Sequence, residues 1–131
     1  MADKRDIENR EDLLLLVDNF YKKLLADPSI SYLFTDVAKI DLQHHLPILV
    51  DFWDSILFQS NTYQKNAMQP HIHLHQQSPL QKQHFDSWLH YFKTTVDELF
   101  EGEKAFLAKE RAVSIATVMQ IKFSQLSSAR P

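Results

Sequence analysis

Among the 131 residues there is a single glycine, Gly102. That count closes several routes at once. Loops that cradle phosphate with backbone N–H groups need several glycines, so GxGxxG and P-loop nucleotide binding are excluded. What remains is helix. Apolar residues recur every three to four positions along nearly the whole chain, and no alternating run bounded by turn residues interrupts them.

The periodicity predicts four long helices. The first covers 9–26, with Leu13, Leu16, Phe20 and Leu24 in one stripe. Asp27-Pro28-Ser29 stops it, because proline cannot continue a helix. A short apolar piece, ISYLF, follows at 30–34. The second long helix fits 41–59, with Leu42, His45, Leu49, Phe52, Trp53 and Ile56 near one face. Pro47 either sits in its first turn or kinks it. After a polar connector, QSNTYQKN, comes the histidine-rich segment MQPHIHLHQQ. Ser78-Pro79 with Gln81 reads as a cap, a first-position proline and a capping-box partner. The third helix then runs to about Phe100, with Phe85, Trp88, Phe92, Val96 and Leu99 in its stripe, and Gly102 stops it. The last spans about 103–125, with Ala112, Ile115, Ala116, Met119, Phe123 and Leu126 aligned. The fold class is all-α, either a closed bundle or a globin-type sandwich.

Length and the absence of repeats indicate one domain. With 44% apolar and 24% charged residues, the balance is that of a soluble protein. A net charge of -3 with no long basic run argues against nucleic acid or anionic membrane as the main partner. There is no cysteine, which excludes disulfides, thiolate metal sites and a thiol nucleophile, and fits the cytoplasm. The start, MADKRDIENRED, lacks the apolar stretch of a secretory signal. No run approaches the roughly 18 apolar residues of a membrane span.

Seven histidines are the chemical anomaly: His44 and His45, then His71, His73 and His75, then His84 and His90. On a helix His71 and His75 share a face and His73 points elsewhere, whereas on an extended segment all three share one. Either arrangement suits a divalent metal such as zinc or nickel, although no HExxH motif is present. A haem asks for one axial histidine on a short segment, an apolar pocket between helices and polar donors opposite. The aromatic residues could line such a pocket. They could equally form the core of a cofactor-free helical interaction module.

Four segments in order carry a family resemblance. They are NFYKKLLADPSISYLF (19–34), HHLPILVDFWDSILF (44–58), NAMQPHIHL (66–74) and SPLQKQHFDSWLHYF (78–92). The chain resembles a group III truncated haemoglobin over roughly residues 12–124, with a polar extension at 1–10. The first segment is similar to the family's Phe-Tyr pair and short helix. The second has a histidine eight residues before a tryptophan, the third the proximal His-x-x-Leu, and the fourth the HFxxWLxxF pattern. The scarcity of glycine also fits this group.

The resemblance implies a truncated globin-like sandwich around haem b (iron protoporphyrin IX). By match of position, His71 is the proximal iron ligand, with Leu74 three residues on. His73 is the second choice and His75 the third. Tyr21, His45 and Trp88 take the distal positions. Tyr21 and Trp88 can donate to a bound ligand, and His45 either gates entry or hydrogen-bonds. Phe20, Leu49, Phe52, Trp53 and Phe92 complete the expected pocket. Ser87 stands where many relatives carry a basic residue, so the propionate partners are unassigned, and Lys82 reads as a surface lysine. The implied ligands are O2, CO and NO. The implied activities are oxygen binding, peroxidase-like reduction and conversion of nitric oxide to nitrate, with an unidentified reductase. A monomer is expected, because no apolar stripe is left over beyond what a core and a haem need.

Overall fold

The computed structural model describes residues 4–60 and 68–128. In order, the elements are α1 (Arg10–Leu25), α2 (Pro28–Tyr32), a π-helical turn (Leu33–Val37), α3 (Leu42–Phe58), α4 (Met68–Gln77), α5 (Lys82–Leu99) and α6 (Glu103–Ser128). Four helices are long and two short, as the periodicity predicts, and no strand occurs among the described residues. Most of the polar connector at 59–66, and the side chain of Leu126, lie outside the described residues. No described helix is long and apolar enough to cross a membrane.

Local chemistry sets the helix ends. Asn9 caps α1 by accepting the Asp12 N–H at 2.9 Å. Asp27 caps α2, with Pro28 at the first helical position, so the residues that stop α1 also start its successor. Asp41 caps α3 by accepting from the Gln43 N–H. Pro47 lies past the first turn, inside α3, where it leaves the Gln43 carbonyl without its usual donor.

The expected start of α5 is corrected. Gln81, not Ser78, is the cap, and the capping box closes with His84, whose Nδ1 accepts the Gln81 N–H at 3.0 Å. The reason lies upstream. The Ser78 N–H donates to the Leu74 carbonyl at 2.8 Å and the Leu80 N–H to His75 Nδ1 at 2.9 Å. Residues 78–80 therefore finish α4 rather than open α5.

The described part of the polar N-terminal extension is docked on the helices. Ile7 is buried in the core. The Arg5 guanidinium grips both carboxylate oxygens of Asp12. The Asp6 carboxylate accepts the N–H groups of Lys104 and Ala105, both at 2.8 Å, and so caps α6 from across the chain. Gly102 makes room for it, since a Cβ there would lie 2.5 Å from the Asp6 carboxyl carbon, and its φ of +148° also disfavours a side chain. Burial pushes the Asp6 carboxyl up, but the N–H groups of Lys104, Ala105 and Ile7 outweigh it and hold it below 3.8. The Arg5 hydrogen bond does the same for Asp12. A depressed carboxyl stabilises the fold fully above its unfolded value and loses that contribution as pH falls through its folded value. Asp6→Asn is therefore expected to cost about 1–2 kcal/mol at pH 7. In thermal melts, its gap from the parent should close below about pH 4.

The stripes pack largely as expected. Leu13, Leu16, Phe20 and Leu24 of α1 are buried, and α1 packs on α3 and α5. Ala105, Ala108, Ala112 and Ala116 give α6 a small-residue face, and α6 packs against α5. On α3 the expected single stripe resolves into two faces. Val50, Trp53, Asp54 and Leu57 are buried, whereas His45, Leu49 and Phe52 are only half-buried. The buried side chains form two clusters, a large one and a small one of Phe85, Ala116, Met119 and Phe123. Large apolar side chains that remain exposed include Leu14 and Leu15 on α1 and Phe106, Val118 and Ile121 on α6. The stripes thus do not absorb every apolar residue, and the premise of the monomer expectation is weaker than the sequence suggests.

Candidate functional site

One cavity draws its walls from both core clusters. It measures about 210 Å³ and is lined mainly by apolar and aromatic side chains. Tyr21 from α1, His45 from α3, His71 from α4 and Trp88 from α5 all reach it. Residues 67 places apart in sequence therefore face one space. The pocket opens partly to solvent, and its apolar walls gain from covering by an apolar guest at roughly 25 cal/mol per Å² buried. Apolar walls also make water a poor occupant. Such a site fits a large, mostly apolar guest.

The polar groups on the walls are arranged by their neighbours. Tyr21 is almost wholly buried, and burial pushes its hydroxyl well above the ordinary value, so it stays protonated. The hydroxyl lies 3.0 Å from His45 Nε2. Burial lowers the His45 pKa, and the charge of His71 lowers it further. The neutral ring can thus accept the Tyr21 O–H. Phe20 stiffens this corner, its ring meeting those of Tyr21, Trp88 and Phe92 edge-to-face at 5.6, 5.8 and 5.3 Å. Trp88 lies face-on against Phe92 at 5.7 Å.

Of the expected pocket residues, Phe20, Leu49, Phe52, Trp53 and Leu74 line this cavity. Phe92 does not. It is fully buried one layer back, sandwiched between Trp88 and Trp53, which stacks on it at 4.8 Å. Its pattern position places it on the right face of α5, but Trp88 fills the front row.

The other histidines separate. His73 is exposed, and His75 is buried against Phe123. No group of three or more metal-ligating side chains converges among the described residues. Lys82 is exposed and pairs with Asp86 at 2.8 Å. His44 and His45 also face a shallow outer depression with Ile40, Asp41 and Ile48, and His45 and Ile48 line the inner cavity as well.

Several lining residues escaped the sequence reading. The π-helical turn brings Leu33 and Phe34 to the wall, with Phe34 edge-on to Tyr21 at 5.5 Å. Ile115, Ala116 and Met119 belong to a stripe read simply as core. His84 also lines the cavity. Its Nδ1 accepts from the backbone, so the neutral ring carries its proton on Nε2, 3.1 Å from the Tyr32 hydroxyl. Burial lowers its pKa. The signal that could have found it was the HF pair before Trp88.

The profile of the bacterial-like globin family matches residues 6–122. The chain belongs to the bacterial-like globins. No curated protein matches it, but a crystal structure does: the group III truncated haemoglobin from Campylobacter jejuni. The TM-score is 0.81 at 21% identity, over 92% of this chain and 95% of that one. At that identity the likeness establishes a shared fold, the truncated-globin sandwich. Membership of a globin family implies a haem cofactor, and the apolar cavity with histidines on its walls fits one.

Proposed function

We propose that this globin holds haem b through His71 and binds a diatomic ligand beside Tyr21, Trp88 and His45. The observation that carries the reading is that these four side chains, on four different helices, line one apolar cavity. With no cysteine in the chain, thioether attachment is impossible, which favours non-covalent haem. His71 lies on α4, which packs against α6 and the π-helical turn, while Tyr21 and His45 lie on the mutually packed α1 and α3. That division supports a proximal role for His71 and distal roles for the others.

When bound, haem supplies an iron that takes O2, CO or NO and exchanges electrons. The chain's part is to supply donors. The Tyr21 hydroxyl stays protonated and the Trp88 indole N–H is purely a donor. A ligand that gains negative charge is held by both. Two donors suit chemistry on a retained ligand better than delivery of it, so peroxide reduction or nitric oxide conversion with an external reductase is the favoured use. His45 stands between the cavity and the outer depression, with the Tyr21 hydroxyl as its hydrogen-bond partner on the inner side. A ligand that takes the Tyr21 proton for its own hydrogen bond frees His45 to swing outward, which makes His45 a gate.

The test is reconstitution. Hemin titrated into the cofactor-free chain is expected to give one-to-one uptake, an intense band near the blue edge of the visible, and a band shift with CO after reduction. Absence of stoichiometric uptake would overturn the reading.

A further inference from the structure

We infer that His75 is the positioning residue that holds His71 towards the cavity. This rests on the proposed proximal role of His71. The observation behind it is how α4 is anchored. Of the described α4 side chains, 70–77, only His75 is buried, at 6% exposure; His71 is exposed apart from its cavity edge. Ile72 and Leu74 pack against the two core clusters but stay half-buried, so His75 is the deepest attachment among these side chains.

His75 makes two dissimilar attachments. Its ring stacks on Phe123 of α6 at 4.8 Å with an interplanar angle of 10°. Its Nδ1 accepts the Leu80 N–H at 2.9 Å, closing the turn that leads to α5. One side chain thus ties α4 to the turn that follows it and to α6. His71 lies four residues earlier, one turn away on the same face. With side chains about 5–6 Å from the helix axis, a roll of roughly 20° moves the His71 ring by on the order of 2 Å. A ligand-holding group tolerates only about 0.5 Å. An anchor at His75 acts on His71 with almost no intervening flexibility. The imidazole suits the role because it offers an aromatic face and an in-plane acceptor together, which neither phenylalanine nor asparagine does.

The experiment uses the full chain loaded with hemin. Three variants separate the attachments: His75→Ala removes both, His75→Phe keeps the stack, and His75→Asn keeps an acceptor for Leu80. Two readouts are taken, the rate of hemin loss to excess scavenging apoglobin and the iron–histidine stretching band of the reduced, ligand-free protein by resonance Raman. His75→Ala and His75→Phe are expected to lose hemin about 10–100-fold faster, as for other groups that orient a metal ligand. Their stretching band should broaden or shift, with partial rescue in His75→Asn. A lowered melting temperature with unchanged band and unchanged hemin loss in His75→Phe would overturn the inference and leave the role of His71 intact. A parent chain that takes up no hemin, or takes it up without needing His71, would overturn both.

Discussion

Replacing His71 with alanine is expected to abolish tight hemin binding while leaving the fold in place. His71 reaches the cavity from α4, yet the residue as a whole is exposed, so its removal opens no core void. The loss is read most cleanly through stability. A guest at a thousand times its dissociation constant stabilises the folded state by about 4 kcal/mol. The parent should show a hemin-dependent rise in melting temperature of that origin, and His71→Ala should show almost none. Free imidazole added to the variant should restore part of the absorption band, because the cavity still accepts the porphyrin and the missing group is only the axial nitrogen. His73→Ala is the control, since that side chain is exposed and does not line the cavity. If His73→Ala loses hemin and His71→Ala keeps it, the register of the proximal helix is off by two residues and the site must be redrawn.

The choice between His71, His73 and His75 shows what the sequence could and could not say. Helical spacing alone puts His71 and His75 on one face, and does not say which of them meets a guest. The structure divides them by depth, His71 at the cavity and His75 against Phe123. That division depends on α6, some 50 residues away. The cavity positions of Tyr21, His45 and Trp88 were more legible, because each sits in a local pattern with an aromatic landmark. Long-range polar pairing was not legible at all. The Asp6 carboxylate meets the Lys104 and Ala105 N–H groups across nearly the whole chain, and nothing near Asp6 announces it. The start of α5 misled for a related reason. Ser78-Pro79 has the composition of a helix start, but His75 and Leu74 claim the N–H groups of Leu80 and Ser78 for the end of α4.

Tyr21→Phe and Trp88→Phe are each expected to speed dioxygen release from the hemin-loaded, reduced protein. The Tyr21 hydroxyl is held protonated by burial, and the Trp88 ring is fixed face-on to Phe92, so both donors are pre-placed. A hydrogen bond to a charged acceptor is worth about 1.5–3 kcal/mol. If that loss appears mainly in the off-rate, release should quicken about 10- to 150-fold for each single change. The double change should fall short of the product, because both donors share one acceptor. Carbon monoxide, which gains less negative charge, should respond less. His45→Leu should act differently. It removes the Tyr21 partner and the side chain between the cavity and the outer depression, so entry rates should rise more than release rates. Stopped-flow release is the decisive measurement. Unchanged release in both Tyr21→Phe and Trp88→Phe would move the ligand's donor to His45. The Tyr21–His45 hydrogen bond would then serve to hold that histidine in place rather than to hold it back from the ligand.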